Sequence, residues 1–142
     1  MSPDDVRATV LAVVHCIDAR QWKELPELFA ATVAVDYTSL FGGAASQTTA
    51  AELVGGWRTA LEGVVTQHLL GPIDVRITRE GAHAGCHVRA LHYCSGASGG
   101  DTWEVLGHYV FALALHGRAW RITKLKLETY HQLGNRTLLS AK

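Results

Sequence analysis

Apolar residues recur at helical spacing from the start of the chain. Val6, Val10, Val13, Val14 and Ile17 fall on one face. Ser2-Pro3-Asp4-Asp5 supplies a cap, a proline in the first turn and acids at the positive end of that helix. A second short helix is expected over Trp22 to Phe29, with Pro26 limiting its start. TVAVDYTS then alternates like a strand, with Val33, Val35 and Tyr37 on one side and Ala34, Asp36 and Thr38 on the other. FGGAASQ reads as a loop. Thr49-Ala-Ala-Glu52 is a capping box, and Leu53, Trp57 and Leu61 give a third helix its apolar stripe. Gly55-Gly56 inside that helix costs about 1 kcal/mol per glycine relative to alanine, which suggests close packing there.

From there on the period changes from helical to alternating. Strand-like runs cover 64–70, 73–79, 82–95, 103–116 and 119–130, with turns at Gly81 and 116–118. SGASGGD, between the third and fourth runs, reads as a flexible loop. No repeat or linker divides the chain, so residues 1–142 are expected to form one domain. Three helices followed by a long, mostly antiparallel sheet predict an α+β fold. A curved sheet with helices on one face encloses an apolar pocket.

Composition narrows the function. Hydrophobic residues make up 48% of the chain, too many for a disordered one. Thirteen basic residues balance thirteen acidic ones, which leaves no electrostatic footprint for nucleic acid or anionic membrane. No apolar run approaches the roughly 20 residues of a membrane span. The N-terminal residues are acidic where a secretory signal is basic, so the expected location is the cytosol. Cys16, Cys86 and Cys94 lack CxxC spacing and are read as reduced core residues. Eight histidines is a high count, yet HxH and HExxH are absent and no metal site is expected.

Four ionisable groups are placed on inward faces. Val10, Val14 and Asp18 are spaced by four, so Asp18 lies either at the inner end of a buried stripe or, if the helix has ended, as the cap of the next turn, DARQW. A buried carboxylate needs a partner. On 82–95, Ala82, Ala84, Cys86, Val88, Ala90, His92 and Cys94 share a small apolar face that leaves room for a ligand. His108 shares the opposite face of its strand with Glu104, and His83, His87, His116 and His131 read as surface groups. Tyr37 ends an inward run and can aim its hydroxyl into a cavity. His68, in TQHLLG, precedes the turn Gly71-Pro72. Each residue alone is ordinary core filling; one carboxylate, one phenol and two imidazoles in an apolar pocket are not. Val14, Trp57, Val88, Ala90, Trp103, Tyr109, Phe111 and Leu113 are the expected substrate-binding wall.

The segments DARQWKEL, VAVDYTSLF, TQHLLG, VRALHY and GHYVFALALHGRAWRI, in this order, resemble the scytalone dehydratase branch of the SnoaL-like, NTF2-like superfamily. The resemblance implies a cone-shaped fold with a deep pocket and chemistry without cofactor or metal. It places the family's catalytic aspartate, tyrosine and two histidines on Asp18, Tyr37, His68 and His92. A related dehydrochlorinase type is similar in pairing an aspartate with a histidine at what correspond to Asp18 and His68. The chain departs from the dehydratase pattern at Ile17, where a second tyrosine is expected, and at Phe111 and Leu113, in place of a serine and an asparagine. Scytalone itself is therefore not the expected substrate. The expected function is a lyase or isomerase in which a histidine held by Asp18 removes a proton next to a carbonyl, with His92 ranked slightly ahead of His68 as base. The alternatives are a ring-closing cyclase of natural-product biosynthesis, opening an epoxide or driving an aldol closure, and a non-catalytic binder of small hydrophobic molecules or a protein-interaction module. Leu91, Tyr93, Leu106 and Val110 face away from the pocket and suggest a homo-oligomer, a dimer or trimer. The tail LGNRTLLSAK is expected over the pocket mouth.

Overall fold

A computed structural model describes residues 2–141. Helix α1 spans Pro3–Asp18 and begins at the expected cap, which proves to be a full capping box: the Ser2 hydroxyl accepts from the Asp5 N–H, and the Asp5 carboxylate accepts from the Ser2 N–H. Val6, Val10, Val13, Val14 and Ile17 are its buried face. The expected second helix is only a 3-10 turn, Leu25–Leu28. Pro26 removes a backbone donor there, and a segment so short has no room for an amphipathic stripe. Strand β1 is Phe29–Asp36. Helix α2, Thr38–Phe41, replaces the end of the expected strand TVAVDYTS, and strand β2, Ser46–Thr49, begins inside the expected loop FGGAASQ. Helix α3, Ala50–Ala60, is capped by Thr49.

The remaining strands are β3 Val65–Leu70, β4 Asp74–Thr78, β5 Gly81–Tyr93, β6 Thr102–His116 and β7 Ala119–Gly134, and helix α4 is Leu138–Ala141. The seven strands form one open, curved sheet in the order β2-β1-β7-β6-β5-β3. Strand β4 also pairs with β5, so β3 and β4 follow one another along its outer edge. All pairings are antiparallel except that of β1 with β7. Register shifts between β6 and β7 bend the sheet around the core. At Gly107, opposite one bulge, an added Cβ would sit 2.3 Å from the Glu128 carbonyl oxygen, so only glycine admits β7 at that distance. The helices cover the concave face, and the buried residues join in one core.

Two packing expectations change. Gly55 and Gly56 face open space, with nothing within 4 Å of a built Cβ, so no close neighbour explains them. The loop after β5 is tied down: the Asn135 amide donates to the carbonyls of Ser98 and Gly100, and Ala97 is buried. All three cysteines are free; Cys86 is buried and the other two half-buried. Among the described residues no helix is long and apolar enough to cross a membrane.

Candidate active site

The last residue of α1 provides the carboxylate. Asp18 reaches β3, where Oδ1 accepts from His68 Nδ1 at 2.7 Å and from the Thr66 hydroxyl at 2.9 Å, and Oδ2 accepts from the His68 N–H at 2.8 Å. Burial alone would raise the pKa of Asp18. The His68 ring, the His68 backbone and Thr66 outweigh it and hold the carboxyl below its usual range. A carboxylate can only accept, so His68 carries a proton on Nδ1, and in the neutral ring the lone pair is on Nε2. Asp18 stands behind the ring and is not part of the cavity lining, so the edge bearing Nε2 faces the cavity. The pairing of β3 with β5 sets Ala90 opposite His68, and this small residue leaves space beside the imidazole. After Asp18, Arg20 turns the chain at φ 60, with its guanidinium over the Trp22 ring.

His92 lies opposite Thr66 in the same ladder. Its Nδ1 donates to the Trp103 carbonyl at 3.1 Å, since a carbonyl cannot donate, and its ring rests 4.4 Å from the Trp103 ring. Burial drives its pKa down to about 4. His92 is thus neutral near pH 7 and a weak base. The two imidazole rings are 6.4 Å apart. Trp103 is fixed by its indole N–H, which donates to Gln132 at 2.9 Å.

Both imidazoles open on a cavity of about 170 Å³. Tyr37, Phe41, Trp57, Trp103 and Tyr109 supply aromatic wall; Ile17, Leu40, Leu61, Val88, Ala90, Val105, Leu127 and Leu139 supply most of the rest. Trp57 is held edge-on by Phe29, with ring centres 5.9 Å apart. Tyr37 caps the start of α2 and so ends β1 rather than continuing it. Burial raises the pKa of its phenol, with Trp57 acting in the opposite direction, and burial likewise raises that of Tyr109 well above the ordinary value. Both phenols are therefore neutral hydrogen-bond donors. The mouth lies between α2 and α4: Phe41 is 65% exposed while lining the cavity, and Leu139 lines it from the tail. Among the described residues no three His, Cys, Asp or Glu side chains are grouped to hold a metal ion. The arrangement can take a proton at His68 Nε2, stabilise the resulting imidazolium through Asp18, and donate hydrogen bonds to a developing oxyanion.

The SnoaL-like domain family profile matches residues 2–126. The chain belongs to the SnoaL-like domain family. No curated protein sequence matches it. Among solved structures, a SnoaL-like chain of this shape is similar to a protein from Kribbella flavida, at 23% identity over 95% of this chain and 97% of that one, with a TM-score of 0.85. It is also similar to a candidate scytalone dehydratase from Novosphingobium aromaticivorans, at 15% identity over 93% and 86%, TM-score 0.75. A candidate dehydratase of the NTF2-like family from Streptomyces avermitilis matches at 13% identity over 91% and 96%, TM-score 0.73. At these identities the likeness concerns the fold, which is the NTF2-like α+β cone.

The SnoaL-like cone brings together Asp18, Tyr37, His68 and His92, the four groups singled out in the sequence. Trp57, Val88, Ala90, Trp103 and Tyr109 line the cavity as expected. Val14, Phe111 and Leu113 do not; they are buried in the core, because the cavity stops short of that end of the sheet. The carboxylate pairs with His68 and not with His92, so the imidazole held by Asp18 is that of His68. Thr66 was missed, although β3 alternation puts it on the same face as His68; it is 6% exposed, with its hydroxyl donating to Asp18.

Proposed function

We propose that this SnoaL-like protein is a lyase or isomerase acting without a cofactor on an apolar, oxygenated cyclic molecule. The observation that carries this reading is the Asp18–His68 pair, joined through both ring and backbone at 2.7 and 2.8 Å, at the wall of an apolar cavity. His68 Nε2 removes a proton from the carbon next to a carbonyl, and the bonding pair moves towards the carbonyl oxygen. Tyr37 donates a hydrogen bond to that oxygen as its charge grows. The proton then returns to another carbon, giving isomerisation, or leaves with a β-hydroxyl as water, giving elimination. His92, neutral and weakly basic, is suited to hydrogen-bond a substrate hydroxyl rather than to remove a carbon-bound proton. The likeness to candidate dehydratases agrees with this chemistry but shows the fold alone. We also propose that the chain self-associates through the convex sheet face.

The test is independent of the natural substrate. Simple cyclic ketones are incubated with the protein in D₂O, and loss of the α-proton signal is followed by NMR. The expected result is catalysed exchange in the wild type that disappears in His68→Ala. Equal exchange in the two proteins rejects His68 as the base.

A further inference from the structure

The cavity limits both the size and the charge of what it can hold. A protein cavity of about 150 Å³ lined by apolar side chains takes up benzene, and the present one is about 170 Å³. That space suits one six-membered ring with its oxygen and a small substituent, and a fused second ring would extend towards the open mouth. Among the described residues the lining carries no Lys, Arg, Asp or Glu, and the nearest full charge is the Asp18 carboxylate behind His68. An anion there would lose its hydration, gain no cationic partner and face that carboxylate.

The second observation concerns Tyr109. It is 7% exposed and lines the cavity from β6. Among the described residues no protein group hydrogen-bonds its hydroxyl, and the hydroxyl is not sealed from the cavity. A phenol in an apolar site ordinarily finds a partner. Tyr37 lines the same cavity, and the two phenols lie close enough to influence one another's ionisation. Two neutral phenols thus face a space in which, among the described residues, the other ionisable lining groups are the imidazoles of His68 and His92, and Trp57 already holds the Tyr37 phenol by a hydrogen bond.

We propose that the site takes a neutral carbonyl compound of one six-membered ring, and that Tyr109 joins Tyr37 in donating to its carbonyl oxygen. This rests on the proton-transfer reading above and adds to it a second donor and a size limit. Tyr109 is then a catalytic residue in its own right, since it touches the oxygen on which enolate charge develops.

The test uses cyclohex-2-en-1-one labelled with ¹³C at the carbonyl, the bicyclic ketone 1-tetralone, and cyclohexanecarboxylate. Affinity is read from quenching of Trp57 and Trp103 fluorescence, and hydrogen bonding from the carbonyl ¹³C shift. Cyclohexenone is expected to bind with a downfield carbonyl shift. Tyr109→Phe should reduce that shift and weaken binding about 3- to 10-fold, and adding Tyr37→Phe should remove the shift. Tetralone should bind at least about tenfold more weakly, and the carboxylate at least about 100-fold more weakly. In the wild type carrying 3-fluorotyrosine, two buried ¹⁹F resonances should move on adding cyclohexenone, a readout that needs no variant to fold. The proposal is overturned if Tyr109→Phe leaves the carbonyl shift unchanged, if only one buried fluorotyrosine responds, if tetralone or the carboxylate binds as well as cyclohexenone, or if none of the three binds. Such a result alongside His68-dependent proton exchange removes the clamp and keeps proton transfer. A clamp seen without His68-dependent exchange does the reverse.

Discussion

At the C-terminal end of α1 the helix dipole presents partial negative charge, and Asp18 adds a full one to it. Three donors from β3 compensate: the His68 ring, the His68 backbone and the Thr66 hydroxyl. Asp18→Asn removes the charge while keeping an oxygen for Nδ1. We expect it to lower the α-proton exchange rate about 10²- to 10⁴-fold and to cost some stability, because the folded site favours the ionised carboxyl and Oδ2 accepts from the His68 N–H. Exchange kinetics and urea denaturation on one preparation check both halves. Thr66 shares Oδ1 with the imidazole, so Thr66→Val leaves Asp18 with one donor fewer. It should cost about 1 kcal/mol of stability and alter the pH profile of exchange, and Thr66→Ser should restore both. His92 makes a different statement about pH. The unfolded chain binds a proton there near the ordinary value of about 6.5, the folded chain only near 4. Between these values the unfolded state carries more protons, so stability is full above pH 6.5 and declines as pH falls towards 4. The loss is roughly 3 kcal/mol at most from this group. Denaturation curves at pH 7 and pH 4.5 should show a smaller difference in His92→Phe than in the wild type.

Helix α4 shows how one element divides its labour. Leu138 is fully buried and Leu139, next to it, lines the cavity. Leu138→Ala should cost about 2–5 kcal/mol, seen as a lower denaturation midpoint. Leu139→Ala should leave stability nearly unchanged and weaken ligand affinity, seen by fluorescence titration. That this tail reaches the mouth was legible from its leucines. The long strands were also legible, since one face of β5 is small and apolar opposite a largely polar one, and the inward positions of β6 form a continuous apolar wall. What escaped was set by pairing rather than by pattern. Strand β2 reads SQTT, with no apolar alternation, and exists because β1 offers it an edge. Helix α2 is a single turn, and Ser39 ties it to β7 through the Leu127 carbonyl. At the site, spacing identified Asp18, His68 and His92 as inward groups, but which imidazole meets the carboxylate depends on where α1 crosses β3. No periodicity encodes that crossing. The extent of the cavity was hidden for the same reason: Val88 and Phe111 read alike on their strands, and only the packed structure shows that the cavity reaches one and not the other.

On the scale of the whole molecule, the concave face of the sheet is filled by helices and the convex face is not. Val65 and Leu69 of β3, Tyr93 of β5 and Tyr130 of β7 are 64%, 48%, 46% and 61% exposed. They are connected: Val65 is paired with Tyr93, Leu69 with Arg89, and the Tyr130 ring lies 5.9 Å from that of His87 on β5. A shallow groove runs between them past Leu106 and Gly107. Of the residues that suggested a subunit contact in the sequence, Tyr93 is well exposed, whereas Leu91, Leu106 and Val110 are half-buried by their neighbours. An apolar surface spread over three strands is costly in water unless something covers it. A second copy of the same face satisfies that requirement with two-fold symmetry. Leu69 and Tyr130 border this groove, and Arg89 beside Leu69 already has its carboxylate partner in Glu104. The double substitution Leu69→Lys, Tyr130→Lys would therefore set two unpaired cations on each side of a symmetric contact. Sedimentation equilibrium should show the wild type as an oligomer and the double variant as a monomer with an unchanged circular dichroism spectrum. Because the cavity opens on the other side of the sheet, between α2 and α4, the monomer should still bind cyclohexenone. A wild type that sediments as a monomer at tens of micromolar would remove self-association through this face and leave the cavity chemistry untouched.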